Sequence, residues 1–377
     1  MNRDRHPRRD HVPFVPGVLT RVEVAATARS IVSMQEADGA IPCGIGAHVD
    51  VWNHVEAAMA LMVAAEVAAG EAAYDWCERT QRPDGSWAMK VVGGEVEDAS
   101  GETNMSAYLA VAVWHHWLVR RDPAFVARCW PTVRRALDWV VSMQLPFGGI
   151  AWAQEWADGR PGTVHRDALL AASSSVHQAL RAGVSLAELM DEPQPEWELA
   201  GGRLRHALRE HRGQFLDKST FSMDWYYPVL GGAVSGEEAD ALLAARWDEF
   251  VVPDLGVRCV STNPWVTGAE TCELVLALEA LGDGERARAL FGDVQHLRED
   301  DGRYWTGLVF PEGLNWPGEH STYTAAAVIL AADALADATP GADIMRGRTM
   351  VAPFEPIALE CGCPSADRLP GGTRRTA

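Results

Sequence analysis

The run CERTQRPDGSW (77–87) decides the fold. It reads as a helix ending at Gln81, a tight Asp-Gly turn, and a Trp able to fold back on the helix just finished. Gly supplies the positive φ that stops a helix, and Asp-Gly is a favoured turn pair. The same plan returns in SIVSMQEADGAIP (30–42) and VSMQLPFGGIAW (141–152). HLREDDGRYW (296–305) keeps the Asp-Gly turn and the Trp. A unit repeated in this way means stacked helical hairpins, because one hairpin alone cannot bury its apolar face.

Outward from these turns, the helix periodicity alternates between two kinds. Amphipathic, charge-striped helices are expected near 20–36, 70–82, 123–144, 194–213, 235–249 and 283–297. In the third, Phe125, Trp130, Val133, Leu137 and Val141 form a stripe opposite Arg128, Arg134, Arg135 and Asp138, and Pro131 is expected to restart or kink it. More apolar helices follow near 51–68, 103–119, 168–187, 222–233, 267–281 and 319–336. Between Glu102 and Arg120 there is no Lys, Arg, Asp or Glu, and a helix that is apolar all round belongs inside. The expectation is an all-α fold with little strand: an (α/α)6 barrel, a toroid of about six helical hairpins. It spans 17–340, between a disordered N-terminal arm at 1–16 and an irregular C-terminal tail at 341–377.

Composition narrows the partners. With 52 acidic against 33 basic residues the formal charge is -19, a field that repels phosphate backbones and anionic lipid. Nucleic acid is therefore not an expected partner. The opening MNRDRHPRRDH is no signal peptide, and no run reaches the roughly 18 apolar residues of a membrane span. Seven scattered cysteines fit a reduced, cytoplasmic protein. Cys361 and Cys363 in the tail make too small a motif for a metal site. No His/Cys/Asp spacing resembles a ligand set, so neither metal nor cofactor is expected.

The links between helices are unequal. Those leading from charged to apolar helices are long: 38–50, 84–101, 145–167, 214–221, 250–266 and 298–318. In an alternating barrel they all lie at one rim, where the inner helices begin, and long links are usually functional. Helix N-termini there point free N–H groups at the same space. The candidate substrate-binding groups are Asp50, Trp52 and His54, then Glu102, Asn104 and Tyr108, then Trp152. Asp224, Trp225 and Tyr226 follow, then Arg258, Trp265 and Glu270, and finally Trp305 and Trp316. His115, His116 and His177 read as core residues instead. The acids Asp50, Glu102, Glu155, Asp224, Glu270 and Glu319 are expected to face one shared cavity holding a small-molecule substrate, a sugar or an isoprenoid.

Two resemblances follow. The Gln-x-x-Asp-Gly-x-Trp segments are similar to the QW repeats of squalene–hopene cyclases and of prenyltransferase/cyclase toroids. The whole chain resembles an actinobacterial group of toroids labelled prenyltransferase. The chemistry of that superfamily needs an Asp-x-Asp-Asp motif, an Asp-Asp-x-x-Asp motif or an Asp/Cys/His zinc set, none of which is present.

The second resemblance is to the glucoamylase-like inverting glycosidases. Trp152-Ala-Gln-Glu155-Trp156 falls where that family places its acid, although Ala153 and Gln154 separate Trp152 from Glu155. Glu319 falls where it places its base. Asp50 falls where an Asp holds the terminal sugar, with Val49-Asp50 in place of Arg-Asp. The resemblance thus implies Glu155 and Glu319 as the catalytic pair. Inversion asks for carboxyls about 6.5–9.5 Å apart with one kept protonated, and flanking Trp residues would do that for Glu155. The expected function is an inverting glycoside hydrolase. The alternatives are a terpenoid cyclase or prenyltransferase-like toroid, and a non-catalytic glycan-binding toroid.

Overall fold

The computed structural model describes residues 12–358. Its helices are α1 (Arg21–Met34), α2 (Val51–Val63), α3 (Val67–Thr80), α4 (Thr103–Arg120), α5 (Pro123–Ser142), α6 (Leu170–Met190) and α7 (Pro195–Glu210). The second half adds α8 (Ser222–Leu230), α9 (Glu237–Ala244), α10 (Trp247–Phe250), α11 (Gly268–Leu281), α12 (Gly284–Asp293), α13 (Thr322–Ala336) and α14 (Ala342–Met345). Helices α2, α4, α6, α8, α11 and α13 touch in that order, and α13 packs back on α2. Against this inner ring lie α3 on α2, α5 on α4, α7 on α6, α9 on α8, α12 on α11, and α1 on α13. The inner helices are the apolar ones: every residue of α2 except Asn53 is buried. Helix α5 runs through Pro131 as one element, so the expected restart there does not occur.

The repeats staple the outer ring. Gln35 Nε2 donates to Gly39 O and Ala69 O, both at 2.9 Å. Gln81 Nε2 donates to Gly85 O at 3.0 Å and Thr132 O at 2.9 Å. Gln144 Nε2 donates to Gly148 O at 3.0 Å and Ala200 O at 2.9 Å. Each Gln thus closes its own turn and ties it to the next outer helix or the link entering it. The glycine is required twice over. Gly85 has φ 101°, and a Cβ there would stand 2.1 Å from Arg135 O. Trp87 packs back as expected, donating from Nε1 to Cys77 O at 3.0 Å. The fourth repeat brings Gly302, at φ 91°, against α1 at Ala26 and so joins the end of the ring to its beginning.

Strand is more abundant than expected. The long links carry β1 (Lys90–Val92), β2 (Glu95–Asp98), β3 (Gly101–Glu102), β4 (Ala151–Ala157), β5 (Arg160–Ala168), β6 (Val251–Val252), β7 (Gly256–Arg258), β8 (Trp265–Thr267), β9 (Gly307–Val309) and β10 (Leu314–Asn315). They make three antiparallel sheets, β1-β2, β3-β4-β5 and β10-β9-β8-β7-β6. The reason is local. Asp158-Gly159 and Gly93-Gly94 have positive φ at both positions, as a two-residue hairpin turn demands.

The other end of the ring is sealed. Arg181 of α6 is buried and donates from Nε to Val351 O at 3.0 Å and from Nη2 to Gly347 O at 3.1 Å. Phe354 packs on Gly201 of α7, and Ile357 N donates to Gly202 O at 3.0 Å. Residues 341–358 of the expected tail therefore include α14 and a strap across this end. At the start of the chain, Val15 is buried and pairs with Leu19, so residues 12–16 pack on the ring instead of forming part of a disordered arm. Cys361, Cys363 and residues 1–11 lie outside the described residues. Among the described residues, no helix is long and apolar enough to cross a membrane.

Candidate active site

A cavity of about 490 Å³ opens where the inner helices begin. Three carboxyls line it, each placed by a helix start. Asp50 caps α2, where Oδ1 accepts from Asn53 N at 2.9 Å. Its Oδ2 accepts from Asn53 Nδ2 at 2.7 Å and from the Cys43 thiol at 3.4 Å, and lies 3.4 Å from His48 Nε2. Glu102 caps α4 and accepts from Met105 N at 2.7 Å. Burial pushes Glu102 up to about 8, with the Asp50 charge adding to the effect. Asp224, in the first turn of α8, accepts from Ala171 N at 3.1 Å, and burial pushes it up to about 6. Beside Glu102, the buried Asn104 Oδ1 has no partner and is free to take a donor from a ligand.

Aromatic rings form another part of the cavity's boundary. Trp52 lines it and stacks on Tyr108 at 4.5 Å between centroids. Tyr227 and Tyr323 also line it, and their hydroxyls are spent on Glu273 of α11 at 2.5 and 2.6 Å. Tyr226 donates to the same carboxylate. Glu56 accepts from Trp52 Nε1 at 3.0 Å. Glu56 and Glu273 are both buried, and burial together with nearby carboxylate charge, each other's or Glu270's, drives their pKa values up.

Of the residues expected at the site, Asp50, Trp52, Glu102, Asn104 and Asp224 line this cavity. Tyr108 supports it through Trp52 and Tyr226 through Glu273. The others stand elsewhere. His54 is buried with Nδ1 accepting from Ile41 N at 3.0 Å and Nε2 bonded to Ala73 O at 2.8 Å, and burial lowers it to about 4. It is a neutral core group. Trp225 is buried against Phe250 and donates to Leu242 O at 3.1 Å. Arg258 lies on β7, donating to Ser261 O at 3.2 Å. Glu270 is half-buried and accepts a hydrogen bond from the Cys259 thiol. Trp265 donates to Trp316 O at 2.8 Å, Trp305 stacks on His320, and Trp152 lies beside His165.

Glu155 and Glu319 are not among the lining residues. Glu155 is exposed on β4, and exposed Glu319 lies beside Thr306 Oγ1 at 3.3 Å. The residues passed over include Asn53, Met105, Leu169, Ala171, Ala172, Lys218, Phe221, Met223 and Tyr323, whereas Tyr227, beside Tyr226 at the rim, does line the cavity. The signal for Tyr323 is an aromatic in the first turn of an inner helix.

Donors that could share one metal ion also meet here. Cys43 Sγ lies 3.7 Å from His48 Nε2, and both are 3.4 Å from Asp50 Oδ2. As arranged, Asn53 Nδ2 donates to Cys43 Sγ at 3.1 Å and the thiol faces Asp50, which accounts for these groups by hydrogen bonding alone. The expectation of no metal rested on spacing along the chain, and it passed over this Cys-x4-His-x-Asp grouping.

A ring of paired helices with carboxyls at the inner-helix starts is a toroid fold, and the solved structures agree with it in fold. A glycosidase superposes with TM-score 0.67 at 15% identity, over 84% of this chain and 98% of its own. A GH63 mannosylglycerate hydrolase from Thermus thermophilus gives 0.62 at 14% identity, over 81% and 99%. No family model matches the chain. The MMP endo-(1,4)-3-O-methyl-alpha-D-mannosidase of Mycolicibacterium hassiacum is 51% identical over 359 residues, covering 95% of this chain and 98% of its own length. The chain belongs to the family of that mannosidase and is a glycoside hydrolase. These likenesses support the glycosidase resemblance and not the prenyltransferase-like one.

Proposed function

We propose that the protein is an endo-acting mannosidase that cleaves internal α-1,4 bonds of a 3-O-methylated mannose chain by inversion, on an (α/α)6 framework. The observation that supports it is the cavity in which Asp50, Glu102 and Asp224 stand in unlike environments. Burial of one carboxyl that keeps its proton is what suits it to the acid role. Glu102, held protonated near neutrality by burial, gives its proton to the leaving glycosidic oxygen. Asp50, which has only donors around it, takes a proton from the water that attacks the anomeric carbon. The C–O bond breaks as the new one forms, leaving Glu102 ionised and Asp50 protonated, so the net charge of the site is unchanged. Asp224 and Asn104 hold the sugar between them. The free thiols Cys43, Cys77, Cys129, Cys259 and Cys272 fit a reducing, cytoplasmic setting.

The test is hydrolysis of α-1,4-linked 3-O-methylmannose oligosaccharides, followed by proton NMR of the first product. The β-anomer appearing first supports inversion. If no internal bond is cut, the reading falls.

A further inference from the structure

The hydrogen bonds among Cys43, His48 and Asp50 hold the three together, and their spacing carries a second meaning. Cys43 Sγ stands 3.7 Å from His48 Nε2, and each of these atoms stands 3.4 Å from Asp50 Oδ2. A tetrahedral zinc ion holds sulfur at about 2.3 Å and nitrogen or oxygen at about 2.0 Å, which sets its ligands roughly 3.3–3.6 Å apart. The triangle matches one face of that tetrahedron to within about 0.2 Å. The donor set is also one that zinc takes, a thiol, an imidazole and a carboxylate. Magnesium and calcium prefer oxygen alone.

The backbone fixes these donors in place. Residues 43–50 are tied down at both ends: Thr322 N donates to Cys43 O at 2.9 Å, and Val49 exchanges both backbone bonds with Val91 at 2.7 and 3.0 Å. Between them the chain reverses, with Ala47 N on Gly44 O at 3.1 Å and Cys43 N on His48 O at 2.9 Å. Asp50 Oδ1 caps α2, which leaves Oδ2 for an ion without loss of the cap. Asn53 Nδ2 donates to Cys43 Sγ at 3.1 Å and to Asp50 Oδ2 at 2.7 Å. A half-turn of that amide offers Oδ1 as a fourth ligand. Asp50 is buried while His48 is 32% exposed, so an ion has a way in from solvent.

We propose that Cys43, His48 and Asp50 form a site for one zinc ion, which holds the enzyme inactive while it is bound. The inhibitory part rests on the reading of Asp50 as base given above. Zinc displaces the Cys43 thiol proton to solvent and takes the thiolate sulfur, the His48 Nε2 lone pair and Asp50 Oδ2. Nothing is oxidised or reduced. Two anionic ligands against a doubly charged ion leave the filled site with no net charge, which suits a buried setting. Asp50 and Asn53 both line the cavity, so the ion sits in its wall. Asp50 Oδ2 is then a ligand and cannot take a proton from water. Because a thiol proton leaves, zinc binding should tighten as pH rises.

Cobalt(II) titrated into the chelator-treated full-length protein probes the site without turnover. One equivalent should raise a thiolate-to-cobalt charge-transfer band in the near ultraviolet. The band should be absent in Cys43→Ser and retained in a Cys361→Ser/Cys363→Ser variant. Calorimetry with zinc should give one-to-one binding, weakened in His48→Ala by more than the roughly 10–100-fold that loss of a supporting partner costs. On α-1,4-linked 3-O-methylmannose oligosaccharides, saturating zinc should lower wild-type turnover by about 10²-fold or more, the size of a lost general base. The same zinc concentration should change Cys43→Ser and His48→Ala by no more than a few-fold, each compared with itself. No thiolate band, or one that survives Cys43→Ser, overturns the site. A band with undiminished turnover at saturating zinc overturns the inhibition, and so does turnover that chelation abolishes and zinc restores. If no oligosaccharide is cut in any state, the mannosidase reading falls and the inhibitory part with it, while the cobalt band still decides the site.

Discussion

At one end of the ring the inner helices begin, and long strand-bearing links stand around a cavity lined by Asp50, Glu102 and Asp224. At the other end those helices finish, the links are short, and the strand of chain beyond α13 covers the opening. The open end is fastened from outside by the repeated staples of Gln35, Gln81 and Gln144. The closed end is fastened by unlike, unrepeated contacts, chief among them the buried Arg181 guanidinium beneath Val351 O and Gly347 O, with Ile357 N on Gly202 O and Val351 N on Ser185 Oγ beside it. Repetition at the rim leaves each staple dispensable and frees the space inside for chemistry. At the sealed end Arg181 is the one buried plug among these contacts. The two ends should therefore separate in experiment, the rim through activity and the sealed end through stability.

The largest separation is expected from the carboxyls. Asp50→Asn and Glu102→Gln should each lower kcat/KM by about 10²–10⁴-fold, the usual effect of losing a general base or acid, with circular dichroism unchanged. Glu155→Gln and Glu319→Gln should stay within a few-fold of wild type, because both are exposed and neither lines the cavity. The reverse pattern in steady-state kinetics would return the chemistry to that exposed pair.

Next in size is the plug. Arg181→Ala removes both donors to the strap and leaves a void beside Gly232 and Gly347. We expect a stability loss of about 2–4 kcal/mol in denaturant unfolding, with turnover per folded molecule unchanged. A variant that unfolds normally but turns over slowly would show that the two ends are coupled.

The legibility of the sequence follows the same division. The alternation of striped and apolar helices is readable because helix burial has a period, and the Gln-to-Gly staples are readable because they repeat. That the cavity lies among the starts of inner helices follows from the unequal links. The direction of a side chain within a link is a different matter. Glu155 was placed by its position between helices, but residues 151–157 form a strand, and at its outer end Glu155 faces solvent. Leu169, Ala171 and Ala172 are illegible for the opposite reason, since a cavity wall of core residue types reads as core. Cys43, His48 and Asp50 meet only because the link before α2 turns back on itself, with Cys43 N bonded to His48 O at 2.9 Å.

A smaller effect should appear with pH. Burial raises Glu102 to about 8 and Asp224 to about 6 at the open end, and Asp333 to about 7 at the closed one. A folded pKa above the unfolded value means that the folded chain holds the proton more tightly. The stability these groups contribute is complete below about pH 4 and is lost as pH rises through 6 to 8. Thermal midpoints should fall across that window. Glu102→Gln should remove the part nearest pH 8 and be more stable than wild type at pH 9. In the proposed mechanism Glu102 is the acid, so wild-type activity should also decline above about pH 8. A midpoint that rises from pH 6 to 9 would contradict the burial of these carboxyls.

The smallest effect tests the staples themselves. Gln81→Ala removes the bonds to Gly85 O and Thr132 O, and the contact that lets Arg135 Nε donate to Oε1 at 2.9 Å. Arg135 is exposed, so that last contact is worth little. The net cost should be about 1 kcal/mol, the usual worth of a hydrogen bond exchanged for one with water. Gln35→Ala and Gln144→Ala break the same pair of bonds at their own junctions and should cost about as much. The three staples share no partner, so the double and triple variants should lose the sum of the single losses to within about 0.5 kcal/mol per pair. Denaturant midpoints of all seven combinations measure this directly. Additivity would mean that the rim is held by independent fasteners. A triple variant losing far more than the sum would mean that the staples act as one closed hoop, and the contrast with the single plug at Arg181 would then have to be drawn between two cooperative closures.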